Sequence, residues 1–282
     1  MANPYLYLPS SVYYFPFEPG HSPMHLHLHA EIVYVSAGRL TLHTETDSYP
    51  MAAGDACLLF PNQPHGFTSV PSSTAHTLNF TPDYCAELSD VLLTKTAAAP
   101  VFSLPDGGRE FYAIYCAAAA RQSIASMWAD TACRALTLSL ASIALEHLTL
   151  TEPATLGQRS VRLIVRYCME RYTGHVSLDE MSREIHVSKY HISHLFSSEL
   201  HTSFPEYIRF LRVSRAKYLM AYYTSMSVTE VAFACGFESL RTFHRAFSAL
   251  CGVTPLAYRA AALAGAVVPD ETKNEPETAR KE

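Results

Sequence analysis

Between residues 31 and 80 apolar residues come in short alternating runs: EIVYVSA (31–37), RLTLHTE (39–45), ACLLF (56–60) and HTLNF (76–80). Turn formers divide them at Ala37-Gly38, Ala53-Gly54 and Pro61-Asn62. Alternation sends successive side chains to opposite faces, so several short strands at regular spacing are expected, as in a sandwich or small barrel. From about Gly107 the spacing changes. REFYAIYCAAAARQSI (109–124) and MWADTACRALTLSLASIALEHLTL (127–150) read as helices, with Leu136, Leu140, Ile143 and His147 or Leu148 three and four residues apart in the second. Residues 107–150 are therefore expected to form a helical pair. Its apolar stripe either packs wholly on the β half or also meets a second subunit.

TEPATLGQ (151–158) reads as a linker, and the chain beyond it is expected to be helical to about 262. The segment SLDEMSREIHVSKYHISHLFSSEL (177–200) opens on Ser177 with Glu180 three residues on, a capping-box spacing. Leu178, Met181 and Ile185 give one apolar stripe, His186-Val187 a turn, Ser188 a second cap, and Ile192, Leu195, Phe196 and Leu200 the inner face of a second helix. The pattern recurs 50 residues later in SVTEVAFACGFESLRTFHRAFSAL (227–250), with Ser227, Glu230, a turn at Gly236, and Phe243, Phe247 and Leu250 inside. Two short helices around a tight turn form a helix-turn-helix, and here the unit is duplicated. Between the copies, residues 205–222 are expected to form a stiff helix of about 27 Å at ~1.5 Å per residue. That length suits holding two reading heads near the ~34 Å spacing of successive major grooves. The last stretch, 263–282, is polar and is expected to be disordered.

Charge sharpens this division. The whole chain carries −5, but residues 1–158 hold five Lys+Arg against thirteen Asp+Glu, and residues 159–262 hold thirteen against eight. A basic segment on an acidic chain points to nucleic acid. No stretch reaches the ~18 uncharged apolar residues that span a bilayer. The N-terminus lacks the basic flank and apolar run of a secretory signal. Seven cysteines without a C-x-x-C pair argue against a disulfide framework or cysteine zinc site. A reducing cytoplasm fits.

The helical segment is specific enough to resemble a known family. SVTEVAFACGFESLRTFHRAFSALCGVTPLAYR (227–259) is similar nearly throughout to the signature of the AraC/XylS transcription regulators, and SKYHISHLF with SFPEYIRFLRVSRAKYLM resembles the family's first unit. His201 departs from it, standing where the family usually has glycine, so a left-handed residue or a rearranged helix end is expected there. The resemblance implies double-stranded promoter DNA as partner. Outward residues of each second helix would reach base edges: Lys189, Tyr190, Ser193 and His194 in the first unit, Leu240, Arg241, His244 and Arg245 in the second. Arg241 or Arg245 suits guanine O6 and N7, and Leu240 a thymine methyl. The first helix has one formal charge among these residues and is expected to contribute less salt-dependent affinity.

In the N-terminal half, His25-x-His27-x3-Glu31-x6-Gly38 resembles the first cupin motif, and GDACLLFPNQPHGF (54–67) resembles the second. His25, His27, Glu31 and His65 fall on that pattern's metal-ligand positions. Alternate strand residues share a face, and imidazoles with a carboxylate suit Zn, Fe, Mn or Ni. Sensor cupins joined to this DNA-binding domain commonly hold a small effector and no metal, and Ser69 stands where the motif's trailing asparagine belongs. Three readings stay open: polar groups of an effector pocket without a cofactor, ligands to a divalent transition metal, or a structural cluster. His29 adds a third alternate histidine. Tyr34, Phe60 and Phe67 are candidate pocket walls, and Arg39 could hold an anionic group.

The expected architecture is α+β. A cupin-like β-barrel (1–106) is followed by a helical pair (107–150), a linker (151–158), and an all-α DNA-binding domain with two helix-turn-helix motifs joined by a linker helix (159–262). The expected function is ligand-responsive, sequence-specific transcription regulation. The expected partners are a second copy meeting the helical pair in a homodimer, a small-molecule effector, for which the resemblance suggests a sugar, and RNA polymerase if the chain activates; no membrane is expected. The alternative is a metal-dependent cupin enzyme with a helical appendage.

Overall fold

The computed structural model of the chain describes residues 11–17, 20–122, 124, 126–153, 156–200, 202–223 and 225–263. His201 and 264–282, nearly all of the expected tail, lie outside the described residues. The β half contains β1 (Val12–Phe17), β2 (His21–His25), β3 (Ala30–Ala37), β4 (Arg39–Thr44), β5 (Ser48–Ala52), β6 (Asp55–Leu59), β7 (His65–Ser69), β8 (Thr74–Phe80), β9 (Thr96–Ala97), β10 (Val101–Ser103) and β11 (Leu150–Thr151). Helix α1 (Ser89–Thr94) precedes β9, while α2 (Arg109–Ala119) and α3 (Met127–Glu146) precede β11.

Two larger antiparallel sheets form the domain, in the orders β1-β8-β3-β6-β10 and β2-β7-β4-β5, with β9 and β11 making a separate two-stranded pair. They face each other across an apolar layer that includes Val33, Val35, Leu40, Leu42, Met51, Leu59 and Phe67. The result is a two-sheet, cupin-like arrangement whose sheets do not close into the expected barrel. The edge strands explain this. Pro16 lies in β1, Pro23 in β2 and Pro50 in β5, and proline has no N–H to extend a ladder. The other face of the five-stranded sheet is covered by α2 and α3, where Ile32, Tyr34, Leu58 and Phe60 pack with Phe111, Tyr115, Leu140 and Ala144. Central strand β3 is thus buried on both sides.

The helical half contains α4 (Leu156–Arg171), α5 (Leu178–Ile185), α6 (Lys189–Ser198), α7 (Phe204–Tyr222), α8 (Val228–Ala234), α9 (Leu240–Cys251) and α10 (Pro255–Leu263). Local chemistry sets the helix starts. Ser177, Ser188, Ser203, Ser227 and Ser239 each accept a backbone N–H of their own first turn. At Ser203 and Ser227 the glutamate three residues on completes the reciprocal box. Helix α7 divides its apolar residues between two cores. Tyr207, Ile208, Phe210 and Leu211 join α4, α5 and α6, whereas Val213, Ala216, Leu219 and Met220 join α8 and α9. The duplication in sequence is therefore two small cores strung on one helix.

The expected linker is pinned at its start. β11 pairs with β9, Glu152 is ion-paired with Lys95, and Arg159 Nε donates to the Pro153 carbonyl at 2.9 Å. The halves touch beyond it. Leu28 and Leu93 are buried in the core shared by α4–α7. Arg162 donates to the Leu92 carbonyl at 3.2 Å, and the Tyr218 hydroxyl donates to Asp130 at 3.2 Å.

Candidate functional site

β2 and β7 pair antiparallel with His25 directly opposite His65. After β2 the chain bends, and Glu31 then enters on β3. One ligand atom from each of His25, His27, Glu31 and His65 lies within 4.8 Å of the others. His27, Glu31 and His65 are buried, and His25 is half-buried. Each imidazole is held through Nδ1 by a backbone carbonyl: His25 by Pro23 at 2.8 Å, His27 by His29 at 3.1 Å, His65 by Gln63 at 2.7 Å. A carbonyl only accepts, so these contacts put the proton on Nδ1 and leave each Nε2 as a lone pair. Nε2 of His27 lies 2.9 Å from Glu31 Oε2, and Nε2 of His65 lies 3.7 Å from it.

Burial pushes the His25 imidazole down to about 4, helped by the neighbouring His65. Burial also lowers His27, outweighing the opposing pull of the Glu31 carboxylate 2.9 Å away. For Glu31 burial acts upward, but the His27 and His65 imidazoles beside it overcome burial and hold the carboxyl well below its ordinary range. Three lone-pair nitrogens and an anionic carboxylate thus converge without a donor to match. Nitrogen and oxygen donors of this type fit a divalent transition metal.

Two residues absent from the motif lie on the same inter-sheet side as this cluster. Asn79 pairs across from Glu31, and Thr77 from Val33, so both project to the inter-sheet side. Asn79 Oδ1, Thr77 Oγ1 and His65 Nε2 are buried without a hydrogen-bond partner among the described residues. Nothing in HTLNF marks Asn79 and Thr77 as inward; the register of β8 against β3 decides it. His29 does not join the cluster. It is buried with its ring 5.9 Å from that of Tyr13.

The other expected pocket residues are scattered. Phe67 does face the inter-sheet layer, its ring 5.8 Å from that of His65. Tyr34 lies on the opposite side of β3, under α2, with its hydroxyl donating to the Gly107 carbonyl at 2.8 Å. Phe60 packs on that same outer face, beneath the Arg162 guanidinium at 5.6 Å. Arg39 is exposed beside the Gly38 turn. A cleft of about 380 Å³ opens elsewhere, between the 44–49 hairpin, the 61–64 turn and α4, with Arg162 in its wall. Burial lowers this guanidinium to about 10.

In the helical half, Lys189, Tyr190, Ser193 and His194 all lie on the exposed face of α6, with Tyr190 83% exposed. Lys189 is ion-paired with Asp179 at 2.7 Å, which discounts the one charge on this helix. On α9, Arg241, His244 and Arg245 are exposed, and neither arginine has an ion-pair partner among the described residues. Leu240 is half-buried against the second core, so its side chain is partly used in packing. Ile192, Leu195, Phe196, Phe243 and Phe247 are buried, as the apolar spacing requires.

Comparison with known proteins agrees with this division. A model described as "AraC-like ligand binding domain" matches residues 8–148, and one described as "Helix-turn-helix domain" matches residues 181–261. The HTH-type transcriptional regulator GbdR of Pseudomonas aeruginosa is 38% identical over 80 residues, covering 28% of this chain and 22% of that protein. The uncharacterized HTH-type transcriptional regulator YijO of Escherichia coli is 32% identical over 108 residues, 38% of each chain. YtdP of Bacillus subtilis, described in the same words, is 31% identical over 96 residues, 34% of this chain and 12% of that protein. The chain thus spans between 12% and 38% of the length of these curated relatives. Among solved structures, ToxT from Vibrio cholerae O395 is similar over 88% of this chain and 97% of its own, at 14% identity and a TM-score of 0.41. Half of the sequence matches the ligand-binding model, and the helix-turn-helix model covers the duplicated units: the chain belongs to the AraC family of transcription regulators.

Proposed function

We propose that the chain binds specific sites in double-stranded promoter DNA and that a small effector, held by the N-terminal half, sets its affinity. The observation that carries this reading is the arrangement on α7: two separately cored helix-turn-helix units, each with the outward side chains of its second helix exposed. A homodimer would match repeated half-sites. Met127 and Trp128, apolar and 59% and 76% exposed at the start of α3, support a second copy there. RNA polymerase is the further partner if the protein activates, and the cytoplasm is the compartment where such DNA is met. Among the described residues no single helix is long and apolar enough to cross a membrane. The inter-sheet layer is lined mainly by apolar side chains, among them Val33, Leu40, Leu42 and Phe67. Turnover is not required by the reading.

The test is binding of the full chain to DNA selected from a random duplex pool, followed by anisotropy. Affinity should fall by about 10²–10³ between 50 and 200 mM salt if about five phosphates are neutralised. Arg241→Ala and Arg245→Ala should each cost about 1–3 kcal/mol on the selected site if each makes a bidentate guanine contact. Lys189→Ala should cost less, since its charge is already shared with Asp179. Site preference retained in both arginine variants would remove the base-contact assignment.

A further inference from the structure

The buried cluster of three imidazoles and a carboxylate beside the apolar inter-sheet layer narrows what the effector can be. Building on the regulator reading, we propose that the effector is itself a divalent transition-metal ion, bound by His25, His27, Glu31 and His65, and that Leu28 conveys its presence to the DNA-binding half. Four acceptor atoms lie within 4.8 Å of one another. The carbonyls of Pro23, His29 and Gln63 fix all three rings with Nε2 unprotonated. Hydrogen bonds of this kind behind histidine ligands set their orientation and tautomer. His27 shows the need for a cation most directly. A neutral imidazole has one N–H, yet both of its nitrogens face oxygens, at 3.1 Å and 2.9 Å. A cation held by these residues would satisfy His27 Nε2 and the Glu31 carboxylate and would give His65 Nε2 a partner. Asn79 Oδ1 and Thr77 Oγ1, buried without a hydrogen-bond partner on the same side of β8, would be available to hydrogen-bond a polar group brought to this side.

The ligand segment also connects to the other half of the protein. His27 belongs to the cluster, while the next residue, Leu28, is 1% exposed and buried in the apolar core of α4–α7. The Asn62 N–H donates to the His27 carbonyl at 2.8 Å and braces the bend from the other side. Fixing His27 and Glu31 on one ion therefore fixes the backbone that carries Leu28 into the helical half. Two sites coupled through one short segment give an energetic link of the ordinary allosteric size, about 5–150-fold in affinity.

The test uses full-length protein with any polyhistidine tag removed, stripped with EDTA and titrated with Zn(II), Co(II), Ni(II) and Mn(II). Mg(II) serves as the control that a nitrogen-rich site should reject. One equivalent of Zn(II) or Co(II) per chain is expected, with a Co(II) absorption band and a raised Tm. Affinity for the selected DNA should change at least about fivefold between metal-loaded and EDTA-treated protein. His65→Ala and Glu31→Gln should abolish stoichiometric metal and the response together. His25→Ala, at the half-buried position, should weaken both without the risk to folding. Leu28→Ala should keep the metal and lose the response. No saturation near one equivalent overturns the proposal, as does metal that binds while DNA affinity stays unchanged. Absence of DNA binding with metal and with EDTA alike would instead overturn the regulator reading, because the metal titration stands without it.

Discussion

Phe247→Ala is expected to cost about 3–5 kcal/mol, the usual penalty for emptying a fully buried phenylalanine site. Phe247 is 0% exposed and packs only in the second core, among Val213, Met220, Val231 and Phe243. The first core, with Ile192, Phe196 and Tyr207, contains none of these residues. Hydrogen exchange followed by mass spectrometry should therefore show lost protection across 213–259, with residues 11–153 and α4–α6 keeping theirs. DNA affinity should collapse, because α9 carries Arg241 and Arg245. Phe196→Ala should do the mirror image in the first core. Equal loss of protection in both cores from either variant would show that α7 couples them into one cooperative unit, against the separation inferred from their packing.

Gly236→Ala should be the second large effect, at about 2–4 kcal/mol, combining the left-handed penalty of about 1–2 kcal/mol with a steric clash. Gly236 has φ +85°, and a Cβ there would stand 2.5 Å from the Thr173 carbonyl oxygen. That oxygen is backbone, so the contact is relieved only by moving the turn between α8 and α9 away from the end of α4. The same turn sets the direction of α9 relative to α6. Urea unfolding gives the stability loss. Anisotropy at a temperature where the variant remains folded should still show weakened binding to the selected DNA. Full affinity in the folded variant would mean that α9 finds its place without this contact. His186, with φ +55°, occupies the corresponding turn of the first unit. A non-glycine residue is therefore tolerated there, while the close approach of Thr173 makes the second turn stricter.

What the sequence determined by itself is local. Serine caps at Ser177, Ser188 and Ser227, with a glutamate three residues on at the first and last, and apolar residues at three- and four-residue spacing, act over one helical turn. They specify where α5, α6 and α8 begin and which side of each is buried. Tyr190, Ser193, Arg241 and Arg245 could be assigned outward because the opposite face of the same helix was already apolar. The sheets were less legible. HSPMH and SYPMA became β2 and β5 despite their prolines, because they lie at sheet edges where a missing N–H costs nothing.

Only the tertiary structure decided which side of a strand was which. In EIVYV both alternating sets are buried, one against the facing sheet and one against α2 and α3. Period-two alternation therefore could not tell that Glu31 and Phe67 share a space from which Tyr34 and Phe60 are turned away. The pairing of His25 with His65, the orphaned Asn79 and Thr77, and the entry of Leu28 into the helical core are all contacts between distant segments. They depend on strand register and domain docking, which no short window contains, because a one-residue slip in register would send each of those side chains to the opposite face.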